Sequence, residues 1–179
     1  MRALLDLAAE RDLYVAWDRG LGEHVRGLLL LDEGVILLNA WMSEAQQRST
    51  LAHELGHAWY GHPPVGLLHG DPHDERQANE YAACLLIDPR AYAAAERATG
   101  AHAGAIAAEL GRTAEVVAAW QGLVRRLPAI KDARVYGDHV RHLRERPVAR
   151  PGARRAGPRP PLTTRGPRTA GRAAPTPTS

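Results

Sequence analysis

Leu51-Ala52-His53-Glu54-Leu55-Gly56-His57 is the stretch from which the rest of the chain is read. On a helix, residues four apart share a face, so His53 and His57 can grip one metal ion. Glu54 then lies beside the ion rather than on it, where its carboxylate can take a proton from a water held there. With nine histidines in 179 residues, roughly 0.03 accidental His-Glu-x-x-His matches are expected, so chance is a poor explanation. The flanks place the motif on a half-buried helix. Ser43 with Gln46 reads as a capping box, Leu51, Leu55 and Ala58 or Trp59 form an apolar stripe, and Gly61 with Pro63 and Pro64 ends the run. A surface helix carrying two ordinary histidines is the competing reading, and this context disfavours it.

A catalytic zinc takes three protein ligands and keeps a fourth position for water. His62 would suit a longer metzincin pattern, but that pattern needs Gly three and His six residues after the second His; Tyr60 and Pro63 stand there instead. Better candidates are carboxylates on the next helix, where Asp71 can cap, Pro72 suits the first helical position, and the run continues to Ile87 before Asp88-Pro89. Glu75 and Asn79 stand four apart and can face the metal-bearing helix together. Glu75 would bind the ion, and Asn79 would accept a hydrogen bond from a ligand histidine's other ring nitrogen. Glu80 is the rival ligand, rotated about 100° from Asn79. Glu75 is preferred because only that choice gives Asn79 a role.

These residues also carry a family resemblance. The first string, followed by Glu75-x-x-Ala78-Asn79-x-Tyr81-Ala82-Ala83-x-Leu85-Leu86-x-x-Pro89, resembles the ImmA/IrrE-type metallo-endopeptidases over about residues 1–127. The resemblance implies a gluzincin-like domain with the Glu of the second motif as third ligand, which supports Glu75. It also implies a partner: such proteins are commonly encoded beside a helix-turn-helix repressor, on mobile elements or in stress circuits. They relieve repression by cleaving the repressor or promoting its cleavage. Departures are small: Tyr81 stands where Phe is more usual, and Ile87-Asp88 replaces the usual Met before Pro89.

The length suits one domain. The single cysteine, Cys84, falls within an apolar helical run and reads as a small buried hydrophobe. No disulfide framework is possible within the chain, the start lacks the apolar core of a signal peptide, and no run approaches a membrane span. The expectation is a cytoplasmic protein. The net charge of +3 hides two segments: seven arginines, eight prolines and no acidic residue fall in 147–179, leaving about −4 on the body and +7 on the tail. Such a tail cannot bury enough apolar surface to offset its ordering entropy, and disorder is expected. It can hold nucleic acid weakly through phosphates. With one lysine against 22 arginines in the chain, a general bias toward arginine is the simpler explanation.

The expected fold class is α+β: a small antiparallel sheet packed on a zincin-like active-site helix, followed by a helical C-terminal part. A short helix over 2–11 precedes a strand around Leu13, Val15 and Trp17. Apolar runs at 25–31 and 35–38 flank Asp32-Glu33-Gly34, a hairpin signal. An exposed edge of this sheet would let an extended peptide add as a strand. The peptidase domain is placed at 1–127, with a helical subdomain at about 89–127, a polar helix at 128–146, and the tail beyond. His139 and His142 on the polar helix lack a carboxylate or cysteine at ligand spacing and read as surface histidines. Ala107, Gly111 and Val117 have the look of a helix-turn-helix unit, but the segment 114–124 supplies few donors for base edges, so a packed helical pair is preferred.

The chemistry expected is peptide hydrolysis, with Zn2+ held by His53, His57 and Glu75 and with Glu54 as general base. Mn2+ or another divalent ion would also suit two histidines and a carboxylate. The oxyanion donor is open among Tyr60, His62, His69 and His73, the last two favoured by their place near the start of the second helix. Two other classes of function remain: a metal-containing regulator that docks a repressor without cutting it, and a nucleic-acid-binding protein.

Overall fold

Ser43 and Gln46 start the helix that carries the His-Glu-x-x-His motif. The hydroxyl of Ser43 accepts from the Gln46 amide at 3.3 Å, and the Gln46 side chain accepts from the Ser43 amide at 2.9 Å, a reciprocal cap. The computed structural model describes residues 1–63 and 71–145, so His69 and the tail at 147–179 lie outside the described residues.

In chain order, α1 (Arg2–Ala9) leads into β1 (Tyr14–Asp18), β2 (Gly27–Leu30) and β3 (Val35–Asn39), then α2 (Glu44–Tyr60) and α3 (Pro72–Leu86). Four further helices follow: α4 (Pro89–Thr99), α5 (Ala103–Leu110), α6 (Ala114–Arg126) and α7 (Ala133–Arg144), with a 3-10 turn at Pro128–Lys131 before the last. The class is α+β, as expected. The sheet, however, is mixed. Its order is β1-β3-β2, with β2 antiparallel to β3 through the expected hairpin and β1 parallel to β3. The hairpin fills one edge of β3 and the segment after β1 crosses to reach it, so β1 takes the other edge running the same way as β3. A reading of consecutive strands as neighbours holds only about two-thirds of the time, and β1 is the exception. Asn39 pins the crossing segment, donating to the carbonyls of Val25 at 3.0 Å and Gly22 at 3.4 Å.

Packing of α2 on α3 positions the site. Leu51, Ala52 and Leu55 are fully buried on α2, as is Ala78 on α3. Gly56 lies directly against α3: a Cβ there would sit 2.8 Å from the Cα of Ala78, 3.0 Å from its carbonyl oxygen and 3.1 Å from the Cβ of Tyr81. The two small residues therefore let the helix backbones meet. A Gly56→Ala substitution has to push α3 outward, and we expect it to lower stability by about 1–3 kcal/mol. Urea unfolding of the metal-free protein checks this; an unchanged midpoint would mean the contact has slack.

Asp71 caps α3 by accepting from the His73 amide, with Pro72 in the first turn. The same device recurs at Asp88-Pro89, where the Asp88 carboxylate accepts from the amides of Arg90 and Ala91. Gly111, in the left-handed conformation, turns α5 into α6, and Ile106, Ala107, Val116, Val117, Trp120 and Leu123 are buried. The buried face of α6 is packing surface. The polar helix expected at 128–146 resolves into the 3-10 turn and α7, which docks on α3: Tyr136 donates to the carbonyls of Cys84 and Ile87, and Tyr81 donates to that of Leu143. Cys84 is buried, and burial pushes its thiol pKa up to about 12, as befits an inert core residue.

Candidate metal centre

One turn of α2 and one turn of α3 face each other here. His53 and His57 stand four residues apart on α2, and their Nε2 atoms lie 2.9 Å from each other. The carboxylate of Glu75 on α3 reaches both, 3.4 Å from Nε2 of His53 and 3.5 Å from Nε2 of His57. Among the described residues, His53, His57 and Glu75 form a group whose ligand atoms could hold one metal ion. A tetrahedral zinc with bonds of roughly 2.0–2.1 Å sets its ligand atoms about 3.3 Å apart, close to the spacing of these three. The His57 side chain is 8% exposed and that of Glu75 38%, so the group opens to solvent on the Glu75 side.

Each histidine has a partner for its outer nitrogen. Nδ1 of His53 lies 3.0 Å from Oδ1 of Asn79, the contact anticipated from the spacing of Glu75 and Asn79. Nδ1 of His57 lies 2.9 Å from Nδ1 of His62. With a proton on each Nδ1, the lone pairs of both Nε2 atoms turn toward Glu75, the donor set a divalent ion requires.

The electrostatics follow from this crowding in the metal-free protein. Burial lowers the pKa of His57 to about 4, helped by the neighbouring His53. Burial also works against a charged His53, but the Glu75 hydrogen bond and the charges of Glu54 and Glu75 outweigh it and raise its pKa. The hydrogen bond from His53 holds the Glu75 carboxyl below the usual range. Glu54 is buried at 9% exposure, and that burial raises its pKa to about 7. It sits beside β2, where the missing Cβ of Gly27 would lie 3.2 Å from its Oε1.

The rival carboxylate points elsewhere. Glu80 pairs with Arg126 on α6 and, at 3.8 Å, with Arg76 one turn away. Of the candidate oxyanion donors, His62 is buried with both ring nitrogens engaged, the second lying 3.1 Å from Oε1 of Gln77. Tyr60 stacks on His62 at 5.3 Å. His73 is exposed at the start of α3 beside Asp74. The contacts of His62 with His57, Gln77 and Asp74 were not anticipated. The available signal was Gly61, a helix-ending glycine able to turn the next residue back toward the helix it leaves.

A mixed α+β domain with a His-Glu-x-x-His helix facing a glutamate on the next helix has the architecture of a metallopeptidase-type protein. The family comparison agrees: a model described as the IrrE N-terminal-like domain, a peptidase family, matches residues 6–119, from α1 into α6. The chain belongs to that family, and the ImmA/IrrE resemblance read from the two motifs is borne out. No curated protein and no solved structure matches the chain. Among the described residues, no helix is long and apolar enough to cross a membrane.

Proposed function

We propose that the protein is a zinc-dependent endopeptidase in which His53, His57 and Glu75 hold the ion and Glu54 is the general base. The observation that carries this reading is the convergence of the two Nε2 atoms and the Glu75 carboxylate, with Glu54 buried one residue away. A divalent ion at this place supplies Lewis-acid polarisation of a carbonyl and a more acidic water. Glu54 takes a proton at its carboxylate and later returns it to the leaving amine. Asn79 holds the His53 ring in the tautomer that leaves Nε2 free. Mn2+ or another divalent ion would be served by the same donors.

Endopeptidase action is supported by the sheet. β2 is an edge strand, it starts beside Glu54 at Gly27, and an extended peptide can pair along it. Gly27 lets β2 pack directly on α2, since a Cβ there would sit 2.5 Å from Cγ2 of Thr50 and 3.2 Å from Oε1 of Glu54.

The substrate we propose is a helix-turn-helix repressor encoded beside the protein, cleaved to relieve repression; the family resemblance supports this choice. The test incubates zinc-loaded wild type and Glu54→Gln with that repressor and follows fragments on a gel. Fragments with wild type alone are expected. An intact repressor that nonetheless forms a stable complex with both proteins would favour a docking regulator instead.

A further inference from the structure

His62 lies five residues beyond His57, and a left-handed turn brings it back. Gly61 ends α2 at φ +65°, and the amide of His62 donates to the His57 carbonyl at 3.0 Å. The His62 ring is thereby tucked against the end of the helix, 6% exposed. Its Nδ1 faces Nδ1 of His57 at 2.9 Å, and its Nε2 lies 3.1 Å from Oε1 of Gln77 and 3.5 Å from Oδ1 of Asp74. Both of those partners belong to the first two turns of α3.

One arrangement of protons satisfies this row. Nε2 of His57 faces His53 and Glu75 and must be bare to bind an ion, so the His57 proton sits on Nδ1. Nδ1 of His62 then accepts, which places the proton of the neutral His62 ring on Nε2, where Gln77 or Asp74 accepts it. No group in the row is left without a partner.

We propose that His62 is a positioning residue for the metal centre: it accepts the hydrogen bond from Nδ1–H of His57 and is itself anchored to α3 by Gln77 and Asp74. This rests on the reading of His57 as a ligand. Each ligand histidine of α2 is thus oriented by an acceptor, His53 directly from α3 through Asn79 and His57 through the intermediary ring. The helix that supplies the third ligand therefore also sets the orientation of the other two. It follows that His62 serves the ion and is not a donor to the substrate.

The test measures zinc affinity by competition with a chromophoric chelator for wild type, His62→Leu, His62→Asn and His57→Ala, alongside thermal melting of each metal-free protein. His62→Leu removes the acceptor and is expected to bind zinc about 10–100-fold more weakly. His62→Asn, whose Oδ1 can stand in for Nδ1, is expected to stay within about threefold of wild type. Wild-type affinity in His62→Leu overturns the proposal. So does an asparagine variant as weak as the leucine one, or an affinity loss that merely tracks the metal-free melting temperature, since either marks a residue that only packs. Should His62→Leu not fold, the Asp74→Ala/Gln77→Ala double variant tests the anchor, with several-fold weaker binding expected and wild-type affinity overturning it. Undiminished binding by His57→Ala would instead remove the ligand reading itself, a separate failure.

Discussion

Glu54→Gln is expected to keep its metal and to lose peptide hydrolysis by at least about 100-fold, the lower end of what a positioned general base contributes. The amide fills the same buried space beside Gly27 but cannot take a proton. A second consequence separates this residue from the ligands. In the metal-free protein the Glu54 carboxyl titrates near 7 rather than at its ordinary 4.5, because burial penalises the charged form. A raised pKa contributes stability that is complete below pH 4.5 and is lost as pH rises through 7. The loss amounts to about 3 kcal/mol for a shift of this size. Glu54→Gln carries no such charge. Metal-free variant and wild type should unfold at similar urea concentrations at pH 4, with the variant the more stable at pH 8. Equal stability at pH 8 would mean that the Glu54 carboxylate is better solvated than its burial implies.

Glu75→Gln is the second large effect. It replaces one of three converging ligands by a neutral amide, and zinc affinity should fall by more than the roughly 10–100-fold typical of losing a ring's outer hydrogen-bond partner. Glu80→Gln is the matched control. It removes the ion pair with Arg126, an exposed contact worth about 1 kcal/mol at most, and should leave zinc affinity unchanged. Equilibrium dialysis against buffered zinc compares the two, and the opposite ranking would transfer the ligand role to Glu80.

Much of this arrangement is legible in the sequence because it is local. The capping box at Ser43, the Asp-Pro helix starts at 71 and 88, and the juxtaposition of Asn79 with a motif histidine all follow from helical spacing and cap chemistry. Ala78 gains its meaning only with the structure, as the residue on which Gly56 packs. What the sequence leaves hidden depends on how elements meet. The parallel pairing of β1 with β3 is a choice of edge that no strand pattern encodes. The Arg126–Glu80 pair joins α6 to α3 across 46 positions of sequence. His62 is the instructive case: read along the chain it is a histidine just past a helix, with no fixed direction. The left-handed turn at Gly61 aims it inward, and Gln77 and Asp74 receive it.

One divalent ion is expected between α2 and α3 on His53, His57 and Glu75. A crystal of the zinc-loaded protein, with anomalous data collected on both sides of the zinc edge, would locate it. One strong peak is expected about 2.0–2.2 Å from Nε2 of His53, Nε2 of His57 and a Glu75 carboxylate oxygen. A peak instead among Asp71, His73 and Asp74, the other group of the described residues able to hold an ion, would contradict it.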